Sequence, residues 1–231
     1  DAARAAGASA MGMISTDKAI EPVSMLGLTK RFAEMYCQAL DHDLMTEAKG
    51  NAHMRLISVR FGNVLASNGS VVPKFKAQIE AGGPITVTHP DMVRYFMTIR
   101  EACDLVITAA THAVTPARPD VSVYVLNMGQ PVKIVDLAER MIRLSGLQPG
   151  VDVEIVFSGI RPGERLNEIL FASQEPTLEI GVAGVMAAKP NQPPTLRKWL
   201  AALEDAIARD DRVTIRAVLQ DAVPEFGSNA A

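Results

Sequence analysis

The chain contains 231 residues, of which 48% are hydrophobic, and its formal net charge at neutral pH is -3. This length and apolar content suffice for the core of one large or two modest domains. The slight acidic excess argues against a nucleic-acid partner, which would favour a basic face. No apolar run approaches the roughly 18 residues that a membrane span requires.

The cysteines and histidines do not form a metal-ligand pattern. Cys37 and Cys103 both lie in apolar helical patterns, which predicts buried and reduced thiols. The four histidines share no ligand spacing, and His89, between a threonine and a proline, is expected to shape a loop. We therefore predict no metal site.

The first region alternates strand and helix patterns. An apolar run predicts a short buried strand at residues 11–16, and β-branched and apolar residues predict a second strand at 55–61. Apolar residues at mixed three- and four-residue spacing predict a helix over 24–42. This helix is expected to bury Leu28, Phe32, Met35 and Cys37.

The pattern becomes irregular after Asn63, where glycines and prolines between residues 69 and 84 indicate a segment that leaves the sheet and returns. Four regular elements are then predicted: a helix at 100–113, a strand at 123–128, an amphipathic helix at 134–145 capped by Gly146, and a strand at 153–157.

The last region, residues 193–224, alternates charged and apolar residues and is predicted to be helical. Its apolar residues form one stripe: Leu196, Trp199, Leu200, Leu203 and Ile207. The stripe is most simply a packing face, and a partner-binding surface is the alternative. The preceding stretch, residues 187–194, is interpreted as a linker.

A polar segment that follows the first predicted strand carries the strongest functional signal. Residues 14–19 read ISTDKA, and a helix that carries Lys30 begins within about ten residues. A parallel-sheet enzyme presents its functional groups at such a carboxyl end of a strand. Taken alone, Asp17 and Lys18 are more simply interpreted as an ordinary solvated turn.

Six stretches match a known family: 14–19 (ISTDKA), 26–31 (LGLTKR), 60–65 (RFGNVL), 69–73 (GSVVP), 88–99 (THPDMVRYFMTI) and 161–164 (RPGE). Together they resemble the extended short-chain dehydrogenase/reductase superfamily. Within it, the chain is similar to the CapD-like polysaccharide biosynthesis proteins, the bacterial nucleotide-sugar 4,6-dehydratases of capsule and O-antigen synthesis. The resemblance runs in order from about residue 10 to the end.

The resemblance implies an α/β fold, namely the C-terminal part of a Rossmann-type, doubly wound parallel sheet with a smaller α/β substrate-binding lobe. Residues 1–129 are expected to belong to the NAD-binding domain, with 63–94 contributing to the substrate site. Residues 130–231 are expected to form the substrate-binding lobe and a helical tail.

The resemblance also implies a reaction, the NAD-dependent dehydration of a UDP-N-acetylhexosamine to a 4-keto-6-deoxy sugar nucleotide. Thr16 would hydrogen-bond the C4 oxygen, Asp17 would protonate the departing C6 hydroxyl, and Lys18 would take the C5 proton. Asp17 and Lys18 can serve one sugar only if the chain has already left the strand and turned. The neutral acid and base that this chemistry requires also call for a closed, dry site.

Lys30 matches the superfamily lysine that holds the nicotinamide ribose and lowers the pKa of a neighbouring hydroxyl, and Ser15 is expected to contribute to the cofactor site. Four residues before Lys30 the superfamily carries a tyrosine as the C4 base, and the resembled dehydratases typically carry methionine. This chain has Leu26, which cannot take a proton. The C4 hydroxyl would therefore be deprotonated through Thr16, Asp17 or a water.

A nucleotide-sugar substrate carries a diphosphate, which favours arginines and an amide as ligands. By resemblance, Asn63, Arg94 and Arg161 take these roles, and Glu164 lies near the uridine ribose. The structural alternatives are a surface position for Arg94 and a loop ion pair between Arg161 and Glu164.

An enzyme of this type opens with a glycine-rich turn whose amides hold the cofactor pyrophosphate, yet the chain contains no Gly-x-Gly-x-x-Gly. We therefore expect it to be the carboxyl-terminal half to two-thirds of a larger polypeptide that begins upstream of Asp1. The isolated segment is expected to lack dehydratase activity and NAD affinity, and to expose an apolar sheet edge. A complete domain with an unusual cofactor site is the alternative.

The sequence thus predicts a UDP-N-acetylglucosamine-type 4,6-dehydratase with NAD as cofactor and a UDP-sugar as substrate. A homo-oligomer is expected, in the cytoplasm, and at the inner face of the bacterial membrane if the absent amino-terminal region is membrane-anchored. Two alternatives stay open, a nucleotide-sugar 4-epimerase and a non-catalytic nucleotide-sugar-binding or assembly module. The pair of Asp17 and Lys18 favours dehydration, whereas Leu26 and the missing cofactor half suggest the non-catalytic module.

Overall fold

The computed structural model describes residues 1–49, 53–67, 69–115, 121–172, 175–189 and 196–226. The chain forms two compact units. Unit 1 comprises Asp1–Phe61, Asp104–Asn127 and Ile169–Ala231, and unit 2 comprises Gly62–Cys103 and Met128–Glu168. The units divide the chain differently from the expected boundary after residue 129, because the residues beyond 168 return to the unit that holds the first strands.

The elements in chain order are α1 (Ala2–Ala5), β1 (Ala10–Ile14), a 3-10 helix (Asp17–Ala19), α2 (Met25–Ala48), β2 (Arg55–Arg60), β3 (Asn63–Val64), α3 (Val71–Glu80), β4 (Ile85–Val87), β5 (Val93–Arg94), β6 (Phe96–Met97), α4 (Ile99–Ala113), β7 (Val123–Leu126), β8 (Val132–Lys133), α5 (Ile134–Leu144), β9 (Ile155–Phe157), β10 (Thr177–Glu179), β11 (Val185–Ala188), α6 (Arg197–Ala208) and α7 (Arg212–Ala222).

A five-stranded sheet in the order β1-β2-β7-β11-β10 forms the centre of unit 1. β1, β2 and β7 are parallel, and Gly12 lies opposite Ile57 in the register. β11 and β10 extend the sheet in antiparallel fashion. The predicted parallel strands are confirmed. The prediction of a linker at residues 187–194 was wrong for its first two residues, since Ala187 and Ala188 are buried in β11. The part of that stretch at 190–194 lies outside the described residues.

Position in the sheet decides which strands are buried. All six residues of β2 are buried, because β2 has a strand on each side. β1 is an edge strand of this sheet, and Met11 and Ile14 are 36% and 46% exposed. The expectation of a buried first strand was therefore wrong.

Helix α2 follows from its cap and its apolar face. The Ser24 hydroxyl accepts a hydrogen bond from the Gly27 amide at 3.1 Å, and the helix ends at Lys49, which adopts a left-handed conformation. The predicted face is confirmed, since Leu28, Phe32, Met35 and Cys37 are all buried. The helix continues beyond the predicted end at residue 42 to Ala48.

Helices α6 and α7 pack on this face of α2. One cluster joins Leu28, Phe32 and Met35 to the buried residues Leu196, Trp199, Leu203, Leu219, Ala222 and Val223. The predicted packing stripe is confirmed except at Ile207, which is 62% exposed, because the fully buried Ala206 and not Ile207 continues the packed face of α6.

Unit 2 has a separate apolar core between α3, α5 and the short strands. Phe75 and Ile79 of α3 pack with Ile85, Ile142 and Val153. The strands pair as β3 with β6 and β4 with β9 in parallel, and β5 with β8 in antiparallel fashion. Sequence analysis predicted α5 but not α3, because the glycines around residues 69–84 obscured its period.

The structure also bears on the predicted state of the two cysteines and on membrane-spanning segments. Cys37 is buried as predicted, but Cys103 is exposed, because it lies on the outward side of α4. None of the helices in the described residues combines the length and apolar character that a membrane crossing needs.

Candidate functional site

The predicted acid and base lie in a turn directly after β1. β1 ends at Ile14 and a 3-10 helix begins at Asp17, so the chain has left the strand before these residues, as the predicted chemistry requires. Two backbone hydrogen bonds attach the turn to the end of β2, from the Ser15 amide to the Val59 carbonyl at 2.8 Å and from the Asp17 amide to the Phe61 carbonyl at 3.2 Å.

Asp17 is the centre of a small hydrogen-bond cluster. Its Oδ1 accepts from the Thr16 hydroxyl at 2.8 Å and from the Lys18 ammonium at 3.0 Å. Its Oδ2 is buried and has no hydrogen-bond partner within the described part of the chain. The Asp17 side chain is 1% exposed and that of Lys18 is 29% exposed. Burial of this kind contradicts the alternative of an ordinary solvated turn at Asp17.

Lys30 reaches the same end of β1 from α2. Its Nζ donates a hydrogen bond to the carbonyl of Ile14 at 3.0 Å. Leu26 lies one helical turn earlier and is 57% exposed. The position of the superfamily tyrosine therefore carries an accessible apolar side chain and no proton acceptor.

Gly27 fixes the distance between α2 and the turn. A Cβ at this position would collide with the backbone carbonyl of Lys18 and would lie 3.1 Å from the Cβ of Pro22. The absence of a side chain thus lets the start of α2 rest directly on the 3-10 helix. Sequence analysis placed Gly27 in the motif without recognising this role.

A buried charge network lies next to the turn, and sequence analysis missed it. Glu34 of α2 accepts from the Ser15 hydroxyl at 2.6 Å and from the Arg60 guanidinium at 2.8 and 2.7 Å. Arg60 also donates to Glu175 at 2.6 and 3.1 Å. The side chains of Glu34 and Arg60 are 0% and 1% exposed. The one available signal was an acidic residue on the apolar face of α2, beside Phe32 and Met35.

The network determines the ionisation of its members. Burial alone would raise the pKa of Glu34, but the charge and hydrogen bonds of Arg60, with contributions from Arg31 and Ser15, hold that pKa below its usual value. Burial, together with the negative charge of Glu34, raises the pKa of Cys37 to about 11. Glu34 is therefore an ionised structural group, and Cys37 stays a thiol.

The network also includes Ser15, which was predicted to contribute to the cofactor site. Its side chain is buried and donates to Glu34. The hydroxyl thus helps to hold the turn, and its contribution to a cofactor site stays a prediction.

The predicted substrate residues lie in unit 2 around a cavity of about 540 Å³. The cavity is lined by residues 62–64, 67 and 69–71 and by Thr88, Met92, Arg94, Phe96, Ile134 and Glu164. Asn63, Arg94 and Glu164 are thus brought together, whereas Arg161 does not line the cavity. Ser70 precedes α3 at the cavity, and its buried Oγ has no hydrogen-bond partner among the described residues.

The two predicted arginines differ in their surroundings. Arg94 is 13% exposed, pairs with Glu168 at 3.1 Å and donates to the carbonyls of Val93 and Leu166. Arg161 is exposed, and Glu164 closes its turn by accepting from the Arg161 backbone amide at 3.5 Å. The alternative of a surface position for Arg94 is therefore wrong, and the contact between Arg161 and Glu164 runs through the backbone.

Two further predictions concerned the role of His89 in a loop and the presence of a metal site. The Nδ1 of His89 accepts a hydrogen bond from the Asp91 amide at 3.1 Å, which is the loop-shaping role predicted for it. Within the described ranges, no group of three or more histidine, cysteine or acidic side chains is arranged to hold a metal ion.

Comparison with known proteins relates this arrangement to one family. A family model described as polysaccharide biosynthesis protein matches residues 1–190. The capsular polysaccharide biosynthesis protein CapD of Staphylococcus aureus is 55% identical over 163 residues, which are 71% of this chain and 25% of CapD. The chain therefore spans about a quarter of the length of that relative.

Solved structures share the fold. Pen from Bacillus thuringiensis superposes with a TM-score of 0.69 at 30% identity, covering 82% of this chain and 55% of Pen. DesIV from Streptomyces venezuelae, a dTDP-glucose 4,6-dehydratase solved with NAD and TYD bound, gives a TM-score of 0.56 at 17% identity, covering 74% of this chain and 54% of DesIV. The second likeness concerns the fold alone. The chain therefore belongs to the polysaccharide biosynthesis protein family, with the Rossmann-type α/β fold of the short-chain dehydrogenase/reductase enzymes.

Proposed function

We propose that the protein catalyses the NAD-dependent dehydration of a UDP-N-acetylhexosamine, UDP-N-acetylglucosamine in the first instance, to a 4-keto-6-deoxy sugar nucleotide for capsule, O-antigen or related glycan synthesis. The observation that carries the proposal is the environment of Asp17. One oxygen of its buried carboxyl group is held by Thr16 and Lys18, and the other has no partner among the described residues. The similarity to CapD supports the biosynthetic setting.

The geometry of the turn supports separate roles for its three polar residues. Asp17 Oδ2 is the oxygen that can carry a proton and donate it to the departing C6 hydroxyl. Lys18, which is 29% exposed, can reach a sugar and, as the neutral amine, take the C5 proton and later return it to C5. Thr16 can hydrogen-bond the C4 oxygen when its hydroxyl turns away from Asp17.

The donor chemistry around Lys30 fits a nicotinamide cofactor. An ammonium group has three protons, and the hydrogen bond to the Ile14 carbonyl uses one of them. The remaining protons suit the ribose hydroxyls of NAD, the cofactor present in the DesIV structure. Lys30 would hold NAD by its ribose, and the cofactor would supply the transfer of hydride from C4 and back to C6. The chain contributes the orientation of the ribose through Lys30.

Removal of the C4 hydroxyl proton must proceed without a phenol, because Leu26 occupies the tyrosine position. Thr16 is the nearest candidate in the motif, since its hydroxyl already donates to the Asp17 carboxylate at 2.8 Å. A proton from C4 can pass through this hydroxyl or through a water to Asp17. The same carboxyl group would then protonate the C6 oxygen, which makes Asp17 both the acceptor and the donor of one proton.

The cavity of unit 2 is proposed to bind the nucleotide part of the substrate. Its volume of about 540 Å³ lies within the range of about 300 to 1,000 Å³ typical of ligand sites. Arg94 supplies a cation for the diphosphate, Asn63 an amide, and Ser70 a hydroxyl that has no partner among the described residues. Arg161 would contribute from its exposed turn, and Glu164 near the uridine ribose.

The proposal is tested by identifying the product formed by the full-length protein. With UDP-N-acetylglucosamine and NAD, dehydration is expected to give a 4-keto-6-deoxy sugar whose new C6 methyl group is visible by nuclear magnetic resonance. A product that keeps the C6 hydroxyl and differs only at C4 would establish the 4-epimerase instead. UDP binding without any turnover would establish the non-catalytic module.

A further inference from the structure

The C-terminal helices lie against the helix that carries Lys30. α7 and α6 bury Leu219 and Trp199 against Leu28 and Phe32 of α2. The two helices are joined to each other by a hydrogen bond from the Trp199 indole to the Asp221 carboxylate at 2.7 Å. This region begins after residue 190, where the match to the family model ends.

Arg31 connects this C-terminal region to the buried network. Its Nε donates to Glu225, just after α7, at 3.0 Å, and its Nη1 lies 3.4 Å from Glu34 Oε2. The Arg31 side chain is 15% exposed, that of Glu225 34% and that of Glu34 0%. The guanidinium thus joins a residue near the end of the chain to one inside unit 1.

The Glu34 carboxylate also contacts the turn that carries Thr16, Asp17 and Lys18. Glu34 accepts the Ser15 hydroxyl at 2.6 Å, and Ser15 precedes Thr16 and Asp17. The contacts therefore run from Glu225 through Arg31 and Glu34 to Ser15.

We infer that Arg31 and Glu225 are positioning residues, through which the docked C-terminal helices hold α2 and the Ser15–Lys18 turn in the geometry needed for proton transfer. The inference rests on the proposed function for its catalytic consequence. Its structural consequence, a more rigid turn, is independent of the reaction. A salt bridge with only a packing role would stabilise α7 without changing the turn.

The test uses Glu225→Gln, Glu225→Lys and Arg31→Gln in the full-length protein, with Asp205→Asn as a matched control. Asp205 pairs with Arg209 within α6 at 2.7 Å, and both side chains are more than half exposed. The control therefore removes one carboxylate from the same helical pair without touching α2. Glu225→Lys places a second cation beside Arg31, and Glu225→Gln keeps the shape if the lysine variant does not fold.

The first measurement is amide hydrogen exchange of the peptide that spans residues 15–19. We expect exchange there to accelerate about twofold to fivefold in the Glu225 and Arg31 variants, the range that loss of a partly exposed ion pair implies, and to stay unchanged in Asp205→Asn. A peptide from α4 serves as the internal reference. Equal exchange at residues 15–19 in all variants would overturn the inference, whatever reaction the protein catalyses.

The second measurement separates kcat from KM for dehydration. The positioning role predicts a fall in kcat of about twofold to fivefold with KM nearly unchanged, because Arg31 and Glu225 do not lie at the unit 2 cavity. The double variant Arg31→Gln/Glu225→Gln should lose little more than Arg31→Gln alone. Additive losses, or a change confined to KM, would contradict the inference. If the wild-type protein shows no dehydration, the exchange result alone decides.

Discussion

The surroundings of the predicted acid in unit 1 and those of the unit 2 cavity differ in burial, although Arg94 at the cavity is itself paired with Glu168. In unit 1, Asp17 and Glu34 are buried, and each accepts hydrogen bonds from a hydroxyl and a cation. In unit 2, Asn63 and Glu164 are partly exposed at an open cavity, and Arg161 is exposed. Proton transfer requires groups fixed in one geometry, whereas a flexible diphosphate can be bound by side chains that adjust after it enters.

The largest effect on activity is expected from removal of the proposed acid or base in unit 1. Asp17→Asn and Lys18→Ala should each reduce dehydration about 10²- to 10⁴-fold, as expected for a lost general acid or base, with little change in substrate binding. Steady-state kinetics of the full-length protein measure the effect. Glu47→Gln, which removes an exposed partner of Arg4, is the control. Near-wild-type turnover in either variant would exclude the assignment.

The buried network should dominate stability in the same unit. Glu34→Gln leaves Arg60 buried with one carboxylate fewer, and it should lower the free energy of unfolding by about 3 to 5 kcal/mol. Urea unfolding measures this value. The control is Glu80→Gln, which breaks a pair whose side chains are 74% and 66% exposed and should change it by less than about 1 kcal/mol. Equal losses of unfolding free energy in Glu34→Gln and Glu80→Gln would mean that burial of the network does not contribute to stability.

Substitutions of the unit 2 arginines should change the affinity for the nucleotide. Arg94→Ala should weaken UDP binding by on the order of 1.5 to 3 kcal/mol, the value of a hydrogen bond to a charged group. Arg161→Ala should have a smaller effect, since its side chain is exposed and does not line the cavity. Calorimetry with UDP compares the two, and thermal unfolding checks that loss of the Glu168 pair has not unfolded the protein. Unchanged affinity in both variants would remove these arginines from the site.

Substitution of two glycines in unit 1 tests how closely α2 packs on the turn. Gly27→Ala should destabilise the protein by about 1 to 3 kcal/mol, because the new methyl group collides with the Lys18 carbonyl. Gly12→Ala in β1 is the control, since its Cβ would meet only Ile57 at an ordinary 4.0 Å. Thermal unfolding and turnover are measured together, and a shift of Lys18 should lower both in Gly27→Ala. Similar melting temperatures for the two variants would argue against the close contact.

The smallest expected effect is a pH dependence. The pKa of Glu34 is lower in the folded protein than its usual 4.5, so the carboxylate stabilises the fold fully above pH 4.5. This contribution is lost as the pH falls below 4.5 through the lowered pKa. Urea unfolding at several acidic pH values should therefore show a steeper loss of stability in the wild type than in Glu34→Gln. Parallel curves would contradict the lowered pKa.

Local features were predictable from the sequence, and contacts between distant segments were not. The spacing of Leu28, Phe32 and Met35 predicted α2 and its packing face, because a 3.6-residue period is a local property. The polar turn after β1 was predicted for the same reason. The exposure of β1 was not, since it depends on which strands pair beside it.

The site shows the same division. The motif predicted Thr16, Asp17 and Lys18 as neighbours, but it did not reveal that Ser15 and Arg60 meet on Glu34, since these residues come from separate elements. Ser15 was expected to contribute to the cofactor site, and its role in holding the turn was not predicted. For Arg161, position in a motif predicted a role but not exposure, which is set by the path of the surrounding turn.

The interleaving of the two units has a consequence for synthesis of the protein on the ribosome. Unit 2 ends at Glu168, whereas unit 1 needs residues from both ends of the chain. The partners of Arg60 and Arg31, Glu175 and Glu225, lie 115 and 194 positions downstream. The nascent chain can thus close unit 2 while β1, β2 and α2 still await their partners. During that interval Arg31, Glu34 and Arg60 lack part of their native environment, so we expect unit 1 to complete its folding after unit 2.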